Sequence, residues 1–136
     1  MAAAALQLRV LVVDDNHDAA ESMEVLLSIL GSEVHVCHDG IESVAAFQTF
    51  RPDVILLDIG LPRLDGHGAA TQIRALPGGS EVTLIALSGY GRDEDMQRSQ
   101  QAGFDRHLVK PVAPDTLIEL LSSLVRAAPI PGETTS

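Results

Sequence analysis

Five side chains in this sequence have types that do chemistry best when they meet: the acids Asp14 and Asp15, the acid Asp58, the hydroxyl of Ser88 and the amine of Lys110. Oxygen-only donors with positions left for water suit magnesium, which seldom accepts a full protein cage. Asp15 and Asp58 are the expected direct ligands, with Asp14 acting through water. Carboxylates gathered within a few ångströms repel one another, and a hard divalent ion removes that conflict. Such a set suits phosphoryl transfer, a reaction catalysed chiefly by positioning and by neutralising charge. Taken singly, each residue also has a plain structural reading. An acid just past a strand is often a helix cap, and Asn16 or Asp18 serves that purpose equally well.

The elements that must position these residues are legible as an alternation. Residues 9–15 read RVLVVDD, an apolar run that stops at two acids, as a strand buried on both faces of a parallel sheet does at its carboxyl end. From Ala19 the apolar positions Met23, Leu26, Leu27 and Leu30 recur at helical spacing, and Gly31 stops the helix. The pattern then repeats. Strands are expected over 34–37, 54–59, 82–87 and 107–109, and helices over 41–50, 68–76, 92–102 and 114–125. Asp58, Ser88 and Lys110 each stand at the end of a different strand. Ligands of an open parallel sheet bind outside the carboxyl ends of its strands, so the five residues are expected on one rim. Five strands alternating with five helices predict an α/β, doubly wound parallel sheet covered on both faces.

Composition narrows the function. A chain of 136 residues holds one domain, and its net charge of -10 repels nucleic-acid phosphate over most of its surface. Cys37 is the only cysteine and lies in an apolar strand, so a buried, inert thiol is expected. No run reaches membrane-spanning length and the alanine-rich start lacks a secretion signal's basic opening, which leaves a cytoplasmic location as the expectation. The organisation expected is a flexible start over 1–8, one domain over 9–126 and a disordered tail or linker over 127–136, where prolines and a glycine replace large apolar residues.

Asp14-Asp15, then Asp58 followed by Ile59-Gly60-Leu61-Pro62 and Asp65-Gly66, then Ser88-Gly89, then Lys110-Pro111 together resemble the receiver domains of two-component response regulators. Four separated signals occur in the family's order, and the resemblance covers nearly the whole chain. It implies the flavodoxin-like (βα)5 fold with strand order 2-1-3-4-5. Asp58 becomes the phosphoacceptor, a carboxylate nucleophile that forms a mixed anhydride. Mg2+ is the implied cofactor, replaceable by Mn2+ or Ca2+, and the backbone carbonyl of Gly60 completes its shell. Ser88 and Lys110 bond the phosphoryl oxygens. Such a domain is not an enzyme toward outside substrates and catalyses only its own phosphorylation and dephosphorylation.

The resemblance also implies partners. A histidine kinase or histidine phosphotransfer domain supplies the phosphoryl group near the acidic rim and first helix. A downstream protein reads the face made by the fourth helix, fifth strand and fifth helix, with no direct nucleic-acid or membrane contact. The state is a monomer or a weak phosphorylation-dependent dimer. The alternative is a receiver cut from a hybrid histidine kinase, acting as an internal relay or phosphate sink. One departure stands out: His107 occupies a switch position that the family fills with an aromatic residue. A polar, titratable ring there alters the coupling. Gly60 and Tyr90 are the tuning positions, the first leaving water an open approach and the second shading it. His17, His35, His38 and His67 lack mutual metal-ligand spacing and are read as surface or structural residues. A nucleotide-binding module needs a glycine- or hydroxyl-rich turn after the first strand, where Asp14-Asp15-Asn16-His17 stands instead. An aspartyl-phosphate phosphatase needs an acid two residues past its nucleophile, and Gly60 is there.

Overall fold

A computed structural model describes residues 8–61, 63–89 and 93–127, and for 93–96 and 125–127 the backbone alone. Strands β1 (Arg9–Val13), β2 (Glu33–Cys37), β3 (Val54–Asp58), β4 (Thr83–Ser88) and β5 (Arg106–Val109) alternate with helices α1 (His17–Ile29), α2 (Gly40–Phe50), α3 (Gly66–Arg74), α4 (Asp93–Ala102) and α5 (Pro114–Ala127). Every strand pair is parallel, and the order is β2-β1-β3-β4-β5, as the family resemblance implied. Apart from Leu8 and Ala127, the expected flexible start and tail lie outside the described residues.

The starts of α1, α2 and α3 fall a little earlier than apolar periodicity suggests, because the caps set them. The side chains of Asn16, Asp39 and Asp65 accept from the N–H groups of Ala19, Glu42 and Gly68. Each satisfies a donor that the first helical turn leaves unpaired.

Strand side chains alternate between two cores. Leu11, Val13, Ile55, Leu57 and Leu84 meet Phe47 of α2 and Ile73 of α3 on one face. Val10, Val12, Leu56, Ile85 and Leu87 meet Leu27 of α1 and Leu117 and Leu121 of α5 on the other. Burying each large aliphatic chain contributes about 1.5–3 kcal/mol, so both faces of the central strands must be apolar. That explains the unbroken hydrophobic runs. The strand order reverses between β1 and β3, where Val13 lies opposite Leu57. The residues that follow, Asp14 and Asp58, are therefore neighbours at the switch point of the sheet.

Asp65-Gly66 has its own structural reason. A Cβ on Gly66 would lie 2.5 Å from the Asp58 carbonyl oxygen and 2.6 Å from Ile59 Cα. Only glycine lets α3 start this close to the end of β3. Gly66→Ala is expected to destabilise the fold by about 1–3 kcal/mol through overpacking, measurable by denaturant titration. It should also slow phosphoryl uptake, because the displaced backbone carries Asp58.

Candidate functional site

Asp14 leaves β1 with its N–H donating to the Cys37 carbonyl at 3.1 Å, so the strand ladder holds its main chain. Its Oδ1 accepts from the Asn16 N–H at 3.0 Å. Asp58 closes β3, and its Oδ1 accepts from the Gly60 N–H at 3.0 Å. Both acids are buried, whereas Asp15 is exposed. From across the sheet, Lys110 Nζ donates to Asp14 Oδ2 at 3.1 Å and to Asp58 Oδ2 at 3.0 Å. Its own main chain is tied down by an N–H bond to the Ser88 carbonyl at 2.7 Å, which extends the β4–β5 ladder. A cis peptide bond joins Lys110 to Pro111.

One carboxylate oxygen from each of Asp14, Asp15 and Asp58 lies within 4.8 Å of the others. Around an octahedral ion with ligands at about 2.0–2.1 Å, neighbouring and opposed oxygens stand roughly 3–4 Å apart. The three acids therefore fit one divalent cation. Charge supports the same assignment, since three carboxylates against one ammonium leave two negative charges to be matched. Burial alone would lower the pKa of Lys110. Its hydrogen bonds to Asp58 and Asp14, and the charges of both, outweigh that and hold the amine above its ordinary value.

Ser88 is buried at the end of β4 and pairs in register with Val109, one residue before Lys110. It therefore belongs to the same rim. Gly60 is exposed, and a Cβ there would meet nothing nearer than Asp58 Oδ1 at 3.9 Å, so the approach on that side is open. Tyr90 lies outside the described residues. His107 is half-buried on β5, and its Nδ1 stands 3.0 Å from the hydroxyl of Ser99, a buried residue of α4. That link to α4 was not legible from the sequence, where Ser99 is one polar residue among many. Cys37 is buried, and burial first, then the charges of Glu42 and Asp39, push its thiol up to about 12, as suits an inert group. Among the described residues no helix is long and apolar enough to cross a membrane.

One contact joins residues far apart in the sequence. His17 and His38, whose positions in the sequence lack metal-ligand spacing, stack with ring centroids 3.7 Å apart and planes 11° from parallel. The parallel pairing that sets Val13 opposite Cys37 brings the turns following β1 and β2 together. Distance along the chain hid this.

A doubly wound sheet whose switch point carries a cation-binding acid cluster, with an ammonium across one buried carboxylate, defines a class: small α/β domains that handle phosphoryl groups. The family is more specific. Residues 10–122 match the model of the response regulator receiver domain, and the chain belongs to that family. It is 33% identical over 123 residues to an uncharacterized 14.6 kDa protein in the sodA1 3' region of Leptolyngbya boryana, covering 90% of this chain and 94% of that protein. It is also 33% identical over 121 residues to response regulator MprA of Mycobacterium bovis, covering 89% of this chain. There it spans 52% of the relative's length. Among solved structures, the receiver domain of the sensor histidine kinase PA1611 of Pseudomonas aeruginosa superimposes with a TM-score of 0.82 at 34% identity, over 89% of this chain and 99% of that one. That structure has a magnesium ion coordinated in its active site cleft. The chemotaxis response regulator CheY4 of Vibrio cholerae gives a TM-score of 0.82 at 29% identity, over 87% and 98% of the two chains. The chain is thus a receiver domain of the two-component type with an acid cluster able to hold a divalent cation, and its homology supports a histidine kinase or phosphotransfer partner.

Proposed function

We propose that Asp58 is the phosphoacceptor, receiving its phosphoryl group from a phosphohistidine and passing the change to α4 through Ser88 and His107. The observation that carries this is the Lys110 amine lying 3.0 Å from Asp58 and 3.1 Å from Asp14 within a cluster of acids. An Asp58 carboxylate oxygen attacks phosphorus, the bond from phosphorus to the donor imidazole nitrogen breaks, and the imidazole leaves with the electron pair. Lys110 faces the oxygens on which charge accumulates, and the Gly60 N–H orients the carboxylate by holding its other oxygen. Magnesium held by Asp14, Asp15, Asp58 and the Gly60 carbonyl would supply further neutralisation of the phosphoryl oxygens. Incubation with acetyl phosphate should give a phosphate adduct in intact-mass spectra with Mg2+ present and none after chelation. An equal adduct under both conditions would remove the metal from the reaction.

Ser88 and His107 then act as the readout. The Ser88 hydroxyl bonds a phosphoryl oxygen, drawing the loop before α4 toward Asp58, while the His107–Ser99 contact ties β5 to the same helix. Ser88→Ala is expected to keep phosphoryl uptake within a few-fold of wild type yet lose the change in hydrogen exchange that phosphorylation causes in α4. If α4 in the variant responds as in wild type, Ser88 is not the coupling residue. The open space at Gly60 supports its tuning role, since water reaches the acyl phosphate from that side. Tyr90 is proposed to shade the same approach. The output face is proposed to be α4, β5 and α5, where Val109 is an exposed apolar residue. The donor is proposed to dock on α1, which starts at the acid rim and exposes Val25 and Ile29 farther along its length. Likeness to the receiver of a sensor histidine kinase supports a second reading, a relay or phosphate sink within a hybrid kinase. Phosphotransfer profiling against candidate kinases separates the two.

A further inference from the structure

The His17–His38 stack is left unused by the phosphoacceptor chemistry, and one of its rings is held as metal-ligating histidines commonly are. His38 Nδ1 lies 3.1 Å from the main-chain carbonyl oxygen of Asp14. A carbonyl only accepts, so Nδ1 carries the proton of the neutral ring and Nε2 keeps a lone pair. Histidines that bind metals commonly hand their other N–H to a backbone carbonyl in this way, which fixes both tautomer and orientation. The main chain of His38 is fixed as well, its N–H donating to the Glu42 carboxylate at 2.8 Å. The other ring is adjustable: His17 is exposed at the first position of α1.

The two rings lie close enough for one ion to reach both. With metal–nitrogen distances of about 2.0–2.1 Å, two imidazole nitrogens in a tetrahedral shell stand roughly 3.4 Å apart. The ring centroids here are 3.7 Å apart in a nearly parallel stack, so the two imidazoles are close enough to share an ion although their in-plane lone pairs do not converge as stacked. Chelation therefore requires the exposed His17 ring to leave the stack and turn about its side-chain bonds until its lone pair meets that of His38. The surroundings attract a cation, with Asp15 and Asp18 flanking His17 on a chain of net charge -10. Imidazole selects zinc, nickel and copper, whereas the carboxylate and carbonyl oxygens of the neighbouring cluster select magnesium.

We propose that His17 and His38 form a second divalent cation site, chelating one Zn2+, Ni2+ or Cu2+ ion with water completing its shell. Because the site adjoins the acid cluster, its ion opposes the charge gathered there. Occupancy of each site therefore lowers affinity at the other, by the same factor in both directions.

The test is titration of Zn2+ into the intact chain with Mg2+ held at saturating concentration, followed by calorimetry and by the ring-nitrogen resonances of the histidines. The expected result is one Zn2+ per chain, with the Nε2 signals of His17 and His38 moving and those of His35 unchanged. His17→Ala, at an exposed position that leaves the fold intact, should weaken binding about 10- to 100-fold. His38→Ala should do the same and His35→Ala should not. Zinc binding that survives His17→Ala, zinc displaced stoichiometrically by Mg2+, or unmoved His17 and His38 signals would each overturn the proposal.

Discussion

Asp58→Ala is expected to take up no phosphoryl group from a small phosphodonor, with uptake reduced on the order of 10³-fold or more. The loss has a simple cause: the substitution removes the nucleophile, and of the two acids that touch Lys110 it is Asp58 that lies beside the open approach at Gly60. Asp14 makes the same pair of contacts, to Lys110 and to the N–H two residues on, but its side chain is the more deeply buried of the two. Asp15 is exposed and lies outside the two ion pairs of the amine, so it lacks the cation that faces Asp58. The variant should remain folded, because removing one acid of three relieves repulsion while Lys110 keeps Asp14. Circular dichroism checks the fold, and intact mass after acetyl phosphate treatment checks the chemistry. An adduct at wild-type rate would mean that the acceptor is elsewhere.

Lys110→Met should produce the second large effect, in two measurements at once. Without divalent cation, two buried acids lose their shared hydrogen-bonded partner, which is more damaging than never having buried them. Lys110 is one-third exposed, so solvent screening reduces the penalty, and a loss of about 1–3 kcal/mol is expected. Added Mg2+ should recover part of it, giving the variant a larger metal-induced rise in Tm than wild type. Phosphoryl uptake should fall about 10²- to 10³-fold, the usual result of removing a donor aimed at developing charge. The pH dependence has a definite sign. The amine is held above its ordinary 10.5 in the fold, so its contribution is fully present below pH 10.5 and is lost as pH rises through the raised value. The stability gap between wild type and Lys110→Met should therefore close in strong alkali, and a gap independent of pH would contradict the assignment.

These contacts explain why so much of the site was legible in advance. A parallel sheet buried on both faces requires continuous apolar strands, so the first polar residue after each run marks the carboxyl rim. Asp14, Asp58, Ser88 and Lys110 were all found by that rule, and the resemblance needed only to say which roles they take. The fold was readable for the same reason, and Gly31 and the caps Asn16, Asp39 and Asp65 left errors of only one or two residues at helix ends.

What escaped the sequence depends on pairings between distant segments. His17 and His38 look unrelated until β1 and β2 lie side by side. Ser99 gains meaning only when α4 packs over β5 and meets His107. Arg74 is a third case. It ends α3 as an ordinary basic residue, yet its guanidinium bonds the carbonyls of Gly79, Val82 and Gly103 and the carboxylate of Asp105. It thereby ties the end of α4 to α3 while the other end of α4 follows the Ser88 loop. Composition and periodicity report which face a residue presents, but not which remote residue waits there.

The most direct test of the phosphoacceptor assignment is localisation of the phosphoryl group on wild-type protein. After reaction with acetyl phosphate and Mg2+, the acyl phosphate is trapped by borohydride reduction and the chain is mapped by peptide mass spectrometry. A single modification at Asp58 is the expected result. Modification at Asp14 or Asp15, or a phosphohistidine at His17 or His38 with Asp58 untouched, would contradict it.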